Sequence, residues 1–212
     1  MAENNYSSLI TLAETIADNK YILGDRLVEI GVSGPTLEAT LSAIAMAQQE
    51  LGHSRLIYRW ANDLKGVNGS KVEIKDQTGK AFSRNVELNN WIELIAGLYA
   101  VNVATDLVMR AIIESGNTDI NHPFSKMLKE QNEHLVYSKV WCKQLLNDKG
   151  SIPGHFKISL EKVMIEVVEW LKTIESDPLL ISQNIINKNG NLVSRCKEIV
   201  NELMNVGAVS NA

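Results

Sequence analysis

Apolar residues recur every three or four positions over most of the chain, which is the spacing of one helical face. From 6 to 30 the stripe runs Leu9, Leu12, Ala13, Ile16, Ala17, Ile22, Leu23, Leu27 and Ile30. Gly31, Ser33, Gly34 and Pro35 interrupt it, and Pro35 fits the first turn of a following helix, where its missing N–H costs nothing. That second helix is predicted over 36–64, rich in alanine, leucine and glutamine, which lose little entropy on becoming helical. A third is expected over 88–114, apolar at Trp91, Leu94, Ile95, Leu98, Val101 and Val108. A fourth follows Pro123 and reaches about 146, where Asn147, Asp148 and Gly150 end it. Further amphipathic pieces are expected within 158–206, with a break at Gly190.

Residues 65–86 differ. Gly66, Gly69 and Gly79 bracket Lys71-Val72-Glu73-Ile74-Lys75, which alternates as a strand does, so a small appended loop or hairpin is expected there. Short links between long helices favour antiparallel neighbours. The fold expected is therefore an all-α antiparallel four-helix bundle with a helical C-terminal extension: one domain over 1–212, its bundle at 6–147.

Composition narrows the classes. In 212 residues, 45% are hydrophobic and 22% charged, an ordinary globular balance. Acidic residues outnumber basic ones 25 to 21, for a net charge of -4, and no basic run marks either end, so no nucleic-acid partner is expected. Two cysteines, Cys142 and Cys196, are too few for a disulfide framework and suit a reducing cytosol. The polar start MAENNYSS has no signal-peptide pattern, and the most apolar stretch, near 92–104, carries Glu93 and Asn102. Neither a secretory route nor a membrane partner is expected, and the location predicted is cytoplasmic. Gly-rich phosphate loops, nucleophile elbows and Cys-x-x-Cys are missing, which argues against serine-nucleophile chemistry. The four tryptophans read as core or interface aromatics, and His122-Pro123 as a loop.

The candidate chemistry lies on helical faces. Glu50 and His53 are three apart and project from one side of the second helix. Glu130 and His134 are four apart on the fourth, with Gln131 three before the histidine. Asp25 and Glu29 lie one turn apart on the first helix, and Asn102 and Asp106 on the third. Carboxylates and imidazoles offered together to a bundle interior are the ingredients of a carboxylate-bridged metal site. Such groups are costly within apolar stripes unless paired, bonded or metal-bound. Any one of them alone reads as a surface, capping or satisfied core group; their occurrence on four helices is the stronger signal.

The string Asp18-Asn19-Lys20-Tyr21-Ile22-Leu23-Gly24-Asp25-Arg26-Leu27-Val28-Glu29, then Gly34-Pro35-Thr36-Leu37-Glu38 and Glu50-Leu51-Gly52-His53-Ser54-Arg55, resembles the phenylacetic acid catabolic family through about residue 146. Its members are ferritin-like subunits of phenylacetyl-CoA epoxidase, a bacterial multicomponent oxygenase. The resemblance implies a ferritin-like bundle and two kinds of chain. In the catalytic kind, carboxylates and two histidines hold two irons that activate oxygen to epoxidise the ring of a CoA thioester; in the structural kind the ligands are lost and the chain supports its catalytic partner.

Glu50, His53 and His134 match the catalytic pattern, and Asp25 falls where a first-helix ligand would lie. Asn102 and Gln131 stand where carboxylates are expected, and Asp106 and Glu130 replace them only if the register shifts. The metal-ligand set implied is Asp25, Glu50, His53, Asp106, Glu130 and His134. The function expected is a diiron, oxygen-dependent oxidoreductase holding two irons if the site is complete, one or none otherwise. Its electrons would come from a separate reductase, its substrate would be an aromatic or acyl-CoA compound, and its companions a homo-oligomer or a homologous oxygenase subunit. The alternatives are a metal-free structural subunit and a ferritin-like iron-handling protein.

Overall fold

A computed structural model of the chain describes residues 6–67 and 78–206, and among them every regular element is helical. The helices are α1 (Ser7–Glu29), α2 (Leu37–Leu64), a short α3 (Ser83–Val86), α4 (Trp91–Glu114), α5 (Thr118–Leu146), α6 (Ile152–Ser176), α7 (Pro178–Ser182) and α8 (Leu192–Val206). The expected all-α bundle is the fold. The strand-like segment 71–75 lies outside the described residues.

Capping explains where most helices begin. Thr36 accepts the Ala39 N–H at 3.1 Å, so Pro35 sits one residue outside the cap and not within the first turn as its sequence position suggested. Asn90 caps α4 through the Glu93 N–H at 3.0 Å, which moves that helix start from 88 to 91. Asp177 caps α7 by accepting from Leu179 and Leu180. Helix α5 starts at Thr118, upstream of Pro123, and α6 at Ile152, with Pro153 in its first turn. Both begin earlier than the sequence pattern suggests: in α6 Pro153 lies where its missing N–H interrupts nothing, and α5 runs on through Pro123, its sixth residue.

α1 packs along α2 and α4 packs along α5, and the two pairs close into a four-helix core. A Cβ on Gly24 would meet the Leu51 Cγ at 2.7 Å, and one on Gly31 would meet the Ala43 Cβ at 2.6 Å. Glycine at these two places lets α1 and its following turn approach α2 closely. On the far side α6 and α8 lie against α4. α4 therefore has neighbours all round, and it is buried almost continuously from Leu94 to Met109.

α4 is long and apolar enough to cross a membrane by composition, but 89% of its most apolar window is buried among the other helices. A helix hydrophobic on every side is here the central core helix. Edge-to-face pairs brace the periphery: Trp60 on Phe124, Phe82 on Trp170, and Trp91 on Trp141.

Residues 78–86 are bound to α1. Asp18 accepts the Lys80 N–H at 2.6 Å and the Tyr58 hydroxyl, while Asn19 accepts from the Phe82 N–H at 3.0 Å and the Asn85 amide at 2.9 Å. Glu166 of α6 receives Ser83 and Arg84 from the other side. The return of the chain from α2 to α4 is thus tied by side-chain acceptors to two helices.

Candidate functional site: a buried polar network in the bundle core

Each helix of the four-helix core contributes polar side chains to one buried network. Lys20 of α1, 1% exposed, donates from Nζ to Glu50 Oε2 and to Gln131 Oε1, at 2.7 Å each. Gln131 turns its amide N–H₂ to the Asn102 side-chain oxygen at 2.6 Å and to the Asn102 carbonyl at 3.1 Å. Glu50 uses its other oxygen, Oε1, on His134 Nδ1 at 2.8 Å, and His134 Nε2 lies 2.7 Å from the Gln49 amide. Beside these, His53 Nε2 meets Glu130 Oε2 at 2.7 Å.

The two histidine–carboxylate contacts are reciprocal. His134 of α5 bonds the carboxylate of α2, His53 of α2 bonds the carboxylate of α5, and the rings stand 6.0 Å apart. Glu50 is fully buried, which by itself would raise its pKa. The Lys20 charge and the His134 contact outweigh that burial and hold the carboxyl well below the usual carboxylate range. His53 is pushed below its ordinary value, by burial first and then by the Lys20 charge, against the opposing pull of Glu50 and Glu130. Its Nδ1 has no hydrogen-bond partner, and neither has Asn102 Nδ2.

Of the six side chains singled out as metal ligands, the structure brings together Glu50, His53, Glu130 and His134. Asp106 is bonded to Arg110 Nε at 2.7 Å, one turn along its own helix. Asp25 is 50% exposed and paired with Arg26, apart from the network. The residue α1 sends inward is Lys20, which the motif pattern does not single out although Ile16, Lys20, Leu23 and Leu27 share one stripe. A lysine in the middle of an apolar stripe was the available signal.

This donor set does not fit a two-iron centre. Such a centre needs several carboxylates to balance the metal charge, whereas this one offers two: Glu50, already engaged with an ammonium, and the partly exposed Glu130 on His53, with the neutral amides of Gln131 and Asn102 at the remaining positions. Among the described residues no three histidine, cysteine, aspartate or glutamate side chains are arranged to hold a metal ion. What the arrangement does is hold the Lys20 and Glu50 charges against each other in the core, with Gln131, Asn102, His134 and Gln49 filling the hydrogen-bonding positions around them.

A bundle whose four core helices meet at a buried polar centre defines the class: an all-α protein with its distinctive chemistry in the core rather than on the surface. The chain belongs to the phenylacetic acid catabolic protein family, which it matches over residues 1–208, further than the helical stretch through 146 that carries the motif resemblance. It is similar to one of the subunits of the 1,2-phenylacetyl-CoA epoxidase of Escherichia coli (strain K12), 22% identical over 174 residues, which cover 80% of this chain and 70% of that relative.

Proposed function

We propose that the chain is a supporting subunit of an oxygenase complex of the phenylacetyl-CoA epoxidase kind, which pairs with an iron-bearing homologue and does not carry the iron itself. The observation behind this reading is the Lys20 ammonium, 2.7 Å from both Glu50 and Gln131. An ammonium and a metal ion compete for the same carboxylate, and here the ammonium is covalently tethered. The likeness to an epoxidase subunit supplies the setting. CoA thioester binding, oxygen chemistry and contact with a reductase then belong to the homologous partner, in a cytoplasmic assembly.

A surface fit for that partner accompanies the reading. Leu37, Leu41 and Ile44 form an exposed row on the outer side of α2, and Val136 and Val140 a second row on α5. The two helices are joined by the Tyr137 hydroxyl, which donates to the Ala39 carbonyl at 3.1 Å. Exposed apolar rows of this kind suit a protein partner.

One observation favours the rival reading, a diiron oxygenase: the reciprocal His53–Glu130 and His134–Glu50 pairs gather two imidazoles and two carboxylates at one level of the core. For that reading Lys20 has to leave Glu50. Two measurements on protein from iron-supplemented cells separate the two. The supporting-subunit reading expects background iron and a stable complex with a family member that has carboxylates in place of Asn102 and Gln131. About two irons per chain with an oxidised-cluster absorbance, and no such complex, would install the enzyme instead.

A further inference from the structure

We infer that Glu50 and Gln131 form a built cation site whose occupant is the tethered ammonium of Lys20, so that removing the tether leaves a site open to a free cation. The ammonium is 1% exposed and its carboxylate 0%. Two charges so placed are held by each other, because neither has water to return to. The anchoring is also rigid: Gln131 is fixed through Asn102, and Glu50 through His134 and then Gln49. Oxygens from α2 and α5 therefore face a cation arriving from α1, and that cation draws three helices together. The four-carbon stem of Lys20 only delivers the charge, so a free alkylammonium, or a divalent ion that carboxylate and amide oxygens bind more strongly than sodium, should serve in its place.

The inference rests on the same donor set as the proposed function but makes no use of the partner. A chain that fails to bind a homologue yet behaves as follows loses the first reading and keeps this one.

The test uses the full chain with Lys20→Ala, which deletes three methylenes and the ammonium, a volume matched by propylammonium. The melting temperature should fall by about 10 °C or more. Propylammonium chloride should recover about 5 °C when present at a hundredfold excess over its Kd, whereas 1-propanol and sodium chloride at equal concentration should not. Cobalt(II) chloride should likewise raise the melting temperature of Lys20→Ala and leave the native chain unchanged. Adding Glu50→Gln to Lys20→Ala should abolish both responses.

The inference is overturned if a folded Lys20→Ala responds to neither cation, or responds equally to propanol. If Lys20→Ala does not fold alone, recovery of its helical circular dichroism on adding propylammonium supports the site, and no recovery counts against it. Lys20→Met gives an independent check: with Glu50 retained it should lose as much stability as Lys20→Ala, and a native melting temperature would show that no cation is needed there.

Discussion

Burying Lys20 strips water from an ammonium and leaves one carboxylate and one amide oxygen to replace it. A hydrophobic replacement of the whole pair can be nearly neutral, but removing one partner strands the other. Glu50→Gln therefore should destabilise the chain by about 3–5 kcal/mol, read by urea denaturation, because the buried Lys20 amine loses its counter-ion. Gln131→Leu removes one Lys20 acceptor and the donor to Asn102, and about 1–3 kcal/mol is expected.

The acid response has a definite sign. The unfolded chain takes up a proton at His53 as the pH falls through about 6.5, while the folded chain resists until lower pH. Stability contributed above that point is lost progressively below it. Glu50 has the same sign in stronger acid: the unfolded carboxyl protonates near about 4.3 and the folded one only well below that. Denaturation midpoints should decline from pH 7 to 5, and His53→Gln should flatten that decline. Burial likewise lifts the thiols, Cys196 to about 12 and Cys142 well above its ordinary value, so neither should react readily with thiol reagents at neutral pH in the folded chain.

At the level of elements, the tie between α1 and the connection at 78–86 has its own test. Asn19→Ala removes the acceptor for Phe82 and Asn85. It should cost about 1–3 kcal/mol and speed proteolysis near residue 82, with the helices of the core intact by circular dichroism. This region also shows what a linear pattern conceals. Long helices are legible because their stripes repeat over many turns, and Glu50, His53 and His134 are legible as polar groups on those stripes. Asp25 misleads because its place in a motif says nothing of direction, and it points to solvent while Lys20, five residues earlier, points inward. Asp18 and Asn19 carry no such signal because their partners lie forty or more residues away, at Tyr58, Lys80, Phe82 and Asn85. The starts of α5 and α6 lie upstream of the expected boundaries because each helix takes its proline inside rather than beginning after it.

For the whole molecule, charge and apolar surface are divided between inside and outside. The core keeps the Lys20–Glu50 ion pair, and the outer sides of α2 and α5 show leucine, isoleucine and valine to solvent. If a homologous chain covers those rows, Leu37→Glu with Leu41→Glu should weaken the complex by about tenfold or more while leaving the melting temperature of the isolated chain nearly unchanged. Sedimentation velocity of mixed chains measures the first and a thermal scan the second. Persistence of the complex would move the contact to another face.

Three consecutive residues key α1 into the molecule. Asp18 and Asn19 grip the returning chain, while Lys20, about 200° round the axis from Asp18, grips the opposite side. A slip by one position would carry each side chain about 100° round and 1.5 Å along, releasing both grips together. α1 is thereby indexed like a shaft with two pins, so neither its rotation nor its height can change alone.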